Sequence, residues 1–311
     1  MARHSIILDC DPGQDDAIAI LLALASPEEI EILGITAVAG NVPLGLTRVN
    51  VRKMLEVAGR TDVKVWAGCD RPLVRKLETA EYVHGETGLN GAVLPEPTMP
   101  LQDGHAVDAI IDLVMSRPAR TVTICALGPL TNLAMAIRKE PHLTQRVKEI
   151  VLMGGAIELG NVTPAAEFNI YVDPHAADIV FRSGIPIIMF GLDVTHQVLV
   201  TRVRLERIGG IGTKVAEAAR GLLDFFNRFD MERYDAPGAP LHDPCVIAYL
   251  IDPEIFQGKA CPVEIELEGR SVGRTLVDWW NSDRHVPNAT VMREVDAERF
   301  FMLLTERLAR L

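Results

Sequence analysis

The stretch SIILDCDPGQDDAIAILLALA (Ser5–Ala25) combines a short apolar run, a cluster of acidic residues and a second, longer apolar run. We interpret the first run, Ile6–Leu8, as a buried β-strand and the second as a helix that begins near Asp15. Pro12 and Gly13 lie between the two runs and favour a tight turn. A strand, a turn and a helix in this order are typical of the first unit of an α/β fold.

The turn carries four acidic residues, Asp9, Asp11, Asp15 and Asp16. One carboxylate is enough to cap the N-terminus of a helix, so capping does not account for all four. Carboxylates this close in sequence repel one another unless a proton, hydrogen-bond donors or a cation compensates them. Because the available donor atoms are oxygens, a hard cation such as Ca²⁺ or Mg²⁺ is the expected partner.

Strand-like and helix-like segments alternate through the first two thirds of the chain. This alternation predicts an α/β fold with a mainly parallel central sheet covered by helices, followed by a more helical C-terminal part. No Ser/Gly-rich linker divides the sequence, so residues 1–311 are expected to form a single domain. Strands are predicted at 6–8, 30–38, 63–67, 121–126, 150–153 and 185–190, with a strand pair at 263–267 and 275–278. Helices are predicted at 15–25, 46–57, 106–115, 130–138, 175–181, 214–233 and 296–308.

Composition limits the partners that the chain can have. A formal net charge of −11 argues against nucleic acid or an anionic membrane, because binding phosphates requires clustered Lys and Arg. The five cysteines have no CxxC spacing and indicate neither a disulfide framework nor a zinc cluster. The chain passes from Met1 directly towards its first strand, and its longest early apolar run is too short to span a bilayer. We therefore expect a cytoplasmic enzyme with a neutral or cationic small-molecule ligand.

Polar residues follow several predicted strands at their carboxyl ends, where open parallel sheets bind ligands. Asn41 follows the second strand, Leu127 opens the segment LGPLTN, and Met153 opens MGG. Asn161 and the segment Glu167–Asn169 come next along the chain. Each residue alone is a weak signal, since Asn after a strand is usually a turn former. Their shared edge predicts a binding site.

Two further segments carry candidate site residues. The loop between residues 71 and 102 contains HGETGLNG from His84, and a long glycine-punctuated loop is typical of a lid or binding loop. LHDP at 241–244 precedes an apolar helical stretch. Asp243 could be the N-cap of that helix, with Pro at the first helical position. Alternatively, Asp243 is a remote metal ligand and His242 donates a proton to a leaving group.

Three motif families have an acidic turn of this kind. A calcium EF-hand loop beginning at Asp9 would need Gly and Glu where this chain has Gln14 and Ile20, so that interpretation fails. A haloacid-dehalogenase-type phosphatase also has DxD after a strand, but Thr or Ser is usual where Gly13 stands. The sequence resembles the nucleoside hydrolase family most, specifically the inosine-uridine and pyrimidine-specific ribonucleoside hydrolases.

This resemblance rests on motifs in the family's order along essentially the whole chain. It implies a Rossmann-like fold and hydrolysis of the N-glycosidic bond of ribonucleosides, giving ribose and free base. Uridine and cytidine are the expected substrates, ahead of inosine and other purine nucleosides, and a homo-oligomer, tetramer or dimer, is expected. The motifs are DCDPGQDDAIAILLA from Asp9, AGN (39–41), VHGETGL (83–89), GPLTN (128–132), VLMGGA (151–156), TPAAEFNIYVDP (163–174), GLDVT (191–195) and LHDP (241–244).

The resemblance also implies a bound Ca²⁺ and roles for individual residues. Asp11, Asp16 and Asp243 would supply carboxylates to the ion, and Leu127 its backbone carbonyl. Asp11 would also be the general base for the attacking water, while His242 protonates the leaving base. A chain that had lost these functions would be a non-catalytic Ca²⁺-dependent ribose-binding protein, which is the remaining alternative.

Substrate contacts are implied by the same motifs. The ribose hydroxyls would be bound by Asp15, Asn41, Asn161, Glu167 and Asn169, with Met153 and Phe168 packed against the sugar. The base would lie near His84, His242 and Tyr234. Trp279 and Trp280 either stack on the base or pack within a strand pair.

Overall fold

The fold is built on a long parallel sheet. The structure is a computed structural model that describes residues 3–282 and 285–311, without the side chains of Asp230 and Tyr234. The strands are β1 His4–Cys10, β2 Ile30–Ala37, β3 Val65–Ala67, β4 Val122–Ala126, β5 Val147–Met153, β6 Ile187–Phe190, β7 Phe256–Cys261, β8 Val263–Ile265, β9 Thr275–Val277 and β10 Ala289–Val295. Eight of them form one sheet in the order β3-β2-β1-β4-β5-β6-β10-β7. Neighbouring strands are parallel up to β10, and β7 pairs antiparallel to β10 at the edge.

Helices cover both faces of this sheet. The helices are α1 Gln14–Leu24, α2 Leu44–Val57, α3 Glu81–His84, α4 Ala106–Met115, α5 Thr131–Lys139, α6 Leu143–Arg146, α7 Phe168–Val172, α8 Pro174–Phe181, α9 Leu192–Thr195, α10 Arg202–Gly209, α11 Lys214–Tyr234, α12 Pro244–Ile251 and α13 Ala297–Leu308. On one face α1 packs against α2, α11, α12 and α13, and on the other α4 packs against α5, which packs against α8.

Strand β1 shows how the sequence divides between the two cores. Ile6 and Leu8 pack into the core on one face of the sheet, and Ile7 packs into the core on the other. Successive side chains of a strand point to opposite faces, so a strand covered on both faces must be apolar throughout. Every residue of α1 is also buried, because the helix is enclosed by the sheet and its neighbouring helices. The strand–turn–helix unit thus lies at the centre of the molecule.

The predicted α/β class and parallel sheet are confirmed. Most predicted elements lie within about two residues of the observed ones, and the predicted strand pair is the antiparallel hairpin β8–β9. The prediction missed β7 and β10, through which the C-terminal part extends the main sheet. It also missed short helices, including α7 and α9. That residues 1–311 form a single domain stays a prediction. Within residues 3–282 and 285–311, no helix is long and apolar enough to cross a membrane.

Candidate active site

A cavity of about 460 Å³ lies where the sequence predicts the binding site. Its volume is typical of small-molecule sites. Asp11 and Asp16 do not line it; both are fully buried in the turn after β1. The predicted residues that line the cavity are Asp15, Asn41, His84, Leu127, Met153, Asn161, Glu167, Phe168, Asn169, His242 and Asp243.

Within the acidic turn, Asp16 performs the capping function. Its Oδ2 accepts a hydrogen bond from Gly13 N at 3.0 Å, and its Oδ1 accepts one from Asp11 N at 3.2 Å. These bonds satisfy backbone N–H groups at the start of α1 that have no partner within the helix. Capping therefore explains one acidic residue of the four.

Asp11 is held tightly but keeps one oxygen available. Its Oδ2 accepts a hydrogen bond from Asn41 N at 2.7 Å. Its Oδ1 is buried and has no hydrogen-bond partner among the described residues. Two glycines enclose the carboxylate, since a Cβ atom at Gly40 would lie 2.0 Å from Oδ2 and one at Gly128 would lie 2.4 Å from Oδ1. Larger residues at those positions would displace Asp11.

Asp243 reaches the same cluster from the other end of the chain. It precedes Pro244 at the start of α12, but its side chain makes no capping hydrogen bond within the described part of the chain. Instead, carboxylate oxygens of Asp15, Asp16 and Asp243 all lie within 4.8 Å of one another. The position that suggested an N-cap thus belongs to the acidic cluster.

The cluster has the chemistry of a hard-cation site. All its side-chain donors are carboxylate oxygens, which suits Ca²⁺ or Mg²⁺ better than Zn²⁺. The oxygens Asp11 Oδ1 and Asp15 Oδ1 are buried without partners in the described structure, and a cation would satisfy them. The three carboxylates that lie within 4.8 Å of one another include Asp15, which we predicted to bind ribose. They do not include Asp11, which we predicted as a metal ligand.

Leu127, the remaining predicted ligand, lies at the end of β4. Its N–H donates to the carbonyl oxygen of Asp9 at 2.8 Å, which fixes the backbone beside the acidic turn. Its own carbonyl accepts a hydrogen bond from Asn169 Nδ2 at 2.6 Å. A carbonyl oxygen has two lone pairs, so this bond leaves one for another partner.

Burial raises the pKa of every carboxyl group in the cluster, and repulsion by neighbouring carboxylates raises those of Asp11, Asp15 and Asp243 further. Burial, then the charge of Asp16, raises the pKa of Asp15 to about 8 and that of Asp11 well above its ordinary value. Burial raises the pKa of Asp16 to about 6, and burial with the charges of Asp15 and Asp16 raises the pKa of Asp243 strongly. The cluster therefore holds protons at neutral pH unless a cation replaces them.

These shifts predict that the chelated protein loses stability as pH rises from about 6.5 to 8. Raised pKa values mean that the folded state binds more protons than the unfolded state in this range, so the free energy of unfolding falls with pH. Below pH 6.5, His84 and His242 oppose this slope because burial lowers the pKa of each. Urea melts of chelated protein across this range would measure it. A free energy of unfolding that rises between pH 6.5 and 8 would contradict the assignment.

Asp9 anchors the acidic turn to the neighbouring strand β2 and helix α5 through hydrogen bonds. Its Oδ1 accepts hydrogen bonds from Thr36 Oγ1 at 2.5 Å and Asn132 Nδ2 at 2.8 Å. Asn132 also accepts from Cys69 N at 2.7 Å, which links three neighbouring strand ends. Burial raises the pKa of Asp9 to about 6. Its contacts orient the turn without reaching the cavity.

Another part of the cavity wall is formed around Glu167, the N-cap residue of α7. Its carboxylate accepts hydrogen bonds from Asn169 N at 3.0 Å, Gly155 N at 2.9 Å and Ile170 N at 3.3 Å. Burial nevertheless raises the pKa of Glu167 to about 7. Asn161 Oδ1 accepts from Phe168 N at 3.0 Å, which attaches this loop to the same helix. The wall is thus polar and rigidly held before any ligand enters.

Three histidines, His84, His196 and His242, line the cavity, and His84 and His242 each have a buried polar partner. Nδ1 of His84 lies 2.7 Å from Oε1 of Gln14, and Nδ1 of His242 lies 2.7 Å from Oγ1 of Thr195. The ring of His196 lies 5.6 Å from that of His242. We did not predict roles for Gln14, Thr195 or His196; Thr195 lies in the GLDVT motif, which was its only sequence signal.

We predicted no role for three aromatic residues that line the cavity, although Tyr82 lies in the 71–102 loop that we predicted as a lid or binding loop. Phe226 and Phe229 of α11 and Tyr82 of α3 line it. Neither Trp279 nor Trp280 does, so their stacking on a bound base is not supported: Lys259 lies over both rings, at 4.3 and 5.2 Å from the centroids. The side chain of Tyr234, predicted near the base, lies outside the described residues.

Comparison with known proteins identifies the family. The family model for inosine-uridine preferring nucleoside hydrolases matches residues 6–302. The pyrimidine-specific ribonucleoside hydrolase RihA of Salmonella gallinarum is 49% identical over 305 residues, which cover 97% of each chain. The solved structure of the plant nucleoside hydrolase PpNRh1 matches with a TM-score of 0.93 and 37% identity over 99% of both chains. A purine-preferring ribonucleoside hydrolase from Gardnerella vaginalis matches with a TM-score of 0.91 and 34% identity over 98% of both chains.

The sequence resemblance is therefore confirmed by the family match and by the structural likeness over nearly the whole chain. Asp15 of the acidic turn, Leu127 just before the GPLTN segment, and His242 and Asp243 of the LHDP segment are far apart in sequence but line one cavity. The chain belongs to the nucleoside hydrolase family, an enzyme family of N-glycosidases.

Proposed function

We propose that this protein hydrolyses the N-glycosidic bond of pyrimidine ribonucleosides, uridine and cytidine, with the help of Ca²⁺. The observation that carries the proposal is the cluster of Asp15, Asp16 and Asp243 beside a nucleoside-sized cavity with a polar wall. The pyrimidine preference is supported by the 49% identity to a pyrimidine-specific hydrolase over almost the full length of both chains. The family match favours this reaction over the phosphatase alternative.

The acidic residues have two functions in this proposal. Asp11, Asp16, Asp243 and the carbonyl of Leu127 would hold the cation, with Asp15 adjoining them. When bound, Ca²⁺ would supply positive charge that makes a nearby water more acidic. Asp11 Oδ1, which has no partner among the described residues, would accept the proton of that water. The negative charge of the pocket then stabilises an oxocarbenium-like ribosyl centre.

The polar wall would bind the ribose. Asp15, Asn41, Asn161, Glu167 and Asn169 offer carboxylate and amide groups to its hydroxyls, and Met153 and Phe168 would pack against the ring. Their positions are fixed by backbone hydrogen bonds, so little reorganisation is needed on binding. A site built around hydroxyl groups should reject 2′-deoxyuridine strongly, because the missing hydroxyl leaves buried polar groups unpaired.

A direct assay tests the proposed function. Reducing sugar released from uridine, cytidine, inosine and 2′-deoxyuridine would be measured with the purified protein, with Ca²⁺ and with chelator. We expect release from uridine and cytidine in Ca²⁺ only. Calcium-dependent ribose binding without release of sugar would instead support the non-catalytic alternative.

A second prediction concerns the leaving group. His242 lines the cavity, and its Nδ1 lies 2.7 Å from the hydroxyl oxygen of Thr195. A neutral imidazole is too weak an acid to protonate a base, so the imidazolium form would act: its Nδ1–H would donate to Thr195 while its Nε2 proton passes to the departing base, which leaves a neutral ring. His242→Ala should lower kcat for uridine by about 10² to 10⁴-fold but hardly change cleavage of nitrophenyl riboside, whose leaving group needs no proton. Equal losses on the two substrates would indicate that His242 only positions the substrate.

The assembly and location of the protein remain predictions. We expect a homo-oligomer, tetramer or dimer, in the cytoplasm. Analytical ultracentrifugation of the purified protein and fractionation of its cells would test these two expectations separately.

A further inference from the structure

We propose that Gln14 fixes the tautomer of His84, so that His84 presents a hydrogen-bond acceptor to the cavity and selects nucleobases that offer an N–H group there. Gln14 is therefore a positioning residue for base recognition. The inference about the base rests on the proposed function, whereas the inference about the tautomer rests only on the geometry.

The orientation of the Gln14 side chain is settled by its partners. Gln14 is the first residue of α1 and is fully buried. Its Nε2 donates to the carbonyl oxygens of His84 at 2.9 Å and Asn90 at 3.1 Å. Carbonyl oxygens only accept, so the amide nitrogen must face them and the amide oxygen must face the other way.

This orientation determines the proton on His84. Oε1 of Gln14 lies 2.7 Å from Nδ1 of His84, and an amide oxygen has no proton to donate. Nδ1 must therefore carry the hydrogen. A neutral imidazole has one N–H group, so Nε2 has only a lone pair. Burial lowers the pKa of His84 to about 3, so the ring is neutral at physiological pH.

Packing against the imidazole opposes a flip of the ring, which would also break the bond between Nδ1 and Gln14. A Cβ atom on Gly13 would lie 2.3 Å from Nδ1 of His84, so the backbone of the acidic turn lies directly against the ring. Phe226 stacks on the ring with centroids 5.6 Å apart and an angle of 21°. Nε2 has no hydrogen-bond partner within the described ranges, and the side chain lines the cavity. An incoming ligand meets an acceptor.

The chemistry of the base follows from this polarity. Uracil offers its N3–H group and cytosine its 4-amino group to an acceptor. Pyrimidin-2-one has neither donor, and its N3 lone pair would oppose that of Nε2. A mismatch that leaves buried polar groups unpaired lowers kcat/KM by roughly ten- to a hundredfold. The pyrimidin-2-one riboside is therefore the discriminating substrate.

The tautomer can be measured directly in the wild-type protein. Nitrogen-15 NMR of the histidine rings distinguishes a protonated from an unprotonated nitrogen, and His84→Gln assigns the His84 signals. We expect a protonated Nδ1 and an unprotonated Nε2 at pH 7. A proton on Nε2 would overturn the proposal, and this measurement does not depend on the folding of any variant of Gln14.

The kinetic arm uses a matched pair of variants. Gln14→Met keeps a similar volume but removes the obligatory acceptor, so His84 can change tautomer. Asn50→Leu is the control, because Asn50 Nδ2 also ties this loop to the acidic turn, through the carbonyls of Pro12 at 3.0 Å and Thr87 at 2.8 Å, without contacting the imidazole. Both variants should loosen the loop, but only Gln14→Met should change the polarity of His84.

The readout is the ratio of kcat/KM for uridine to that for pyrimidin-2-one riboside, since the intrinsic reactivities cancel when proteins are compared. Gln14→Met should lower this ratio by roughly tenfold, and Asn50→Leu should leave it unchanged. An unchanged ratio in Gln14→Met, or an equal fall in both variants, would overturn the selection of the base by His84. If the wild type cleaves no nucleoside, the proposed function fails, and the NMR measurement alone decides whether Gln14 fixes the tautomer.

Discussion

Replacing Asp11 with Asn is expected to lower kcat for uridine by about 10² to 10⁴-fold while the fold is retained. Asn has nearly the same shape, and its amide oxygen can still accept the hydrogen bond from Asn41 N that holds Asp11 in place. What it loses is the second carboxylate oxygen, which is buried and unpartnered in the described structure and which we propose as the general base. Steady-state kinetics with uridine and a thermal melt would measure both parts of the expectation.

Asp9→Asn is the matched control for this experiment. Asp9 is also fully buried and only two residues away, but its hydrogen bonds go to Thr36 and Asn132. The amide oxygen of Asn can accept both of these bonds, so we expect a much smaller loss of kcat. Calcium binding by Asp11→Asn, measured by equilibrium dialysis, separates loss of the base from loss of a ligand. Near-normal turnover by Asp11→Asn would reject Asp11 as the base.

The sequence predicted the site well where one physical rule applied. Parallel strands end at one edge of a sheet, so residues that follow different strands must lie together. This rule places Asn41 after β2 and Gly128 after β4 around Asp11, as observed. Central strands that are buried on both faces are apolar throughout, so each of them could be predicted from its own short stretch of sequence.

Other features depended on contacts that no local pattern specifies. Strand β10 pairs with β6 and β7, yet its alternating sequence resembles any half-buried segment. Phe226 lies on a long amphipathic helix whose cavity-facing side is set by how the helix packs against α1, α3 and α10. We predicted no function for Gln14 and used it only to exclude an EF-hand loop, because its partner His84 lies 70 residues further along the chain. Sequence reasoning from local segments cannot find pairs of this kind.

Removal of calcium is expected to abolish turnover and to lower the melting temperature by on the order of 10 °C. A ligand present at about 1,000 times its Kd stabilises the folded state by about 4 kcal/mol, and 1 kcal/mol shifts melting by roughly 2–4 °C for chains of about 150–250 residues and by somewhat less for a longer chain. The ligands come from residues more than 200 positions apart, Asp16 and Asp243, so the site exists only in the folded protein. Elemental analysis would identify the bound metal. After chelation, Ca²⁺, Mg²⁺ or Zn²⁺ would be added back, and we expect Ca²⁺ to restore most of the turnover and of the melting temperature.

Asp243→Asn separates the metal site from a simple helix cap. Asn is as good an N-cap residue as Asp, so a capping role predicts no change in either condition. As a ligand, Asp243 must instead ionise while buried beside Asp15 and Asp16, which disfavours its charged form, whereas Asn carries no charge. The variant should therefore melt no lower than wild type in chelator, yet gain far less from added calcium. Two outcomes would remove the basis for a cation at this cluster: calcium stabilises Asp243→Asn as much as wild type, or calcium does not stabilise the wild type. Among the described residues, no other proposed ligand reaches the cluster from the C-terminal part of the chain.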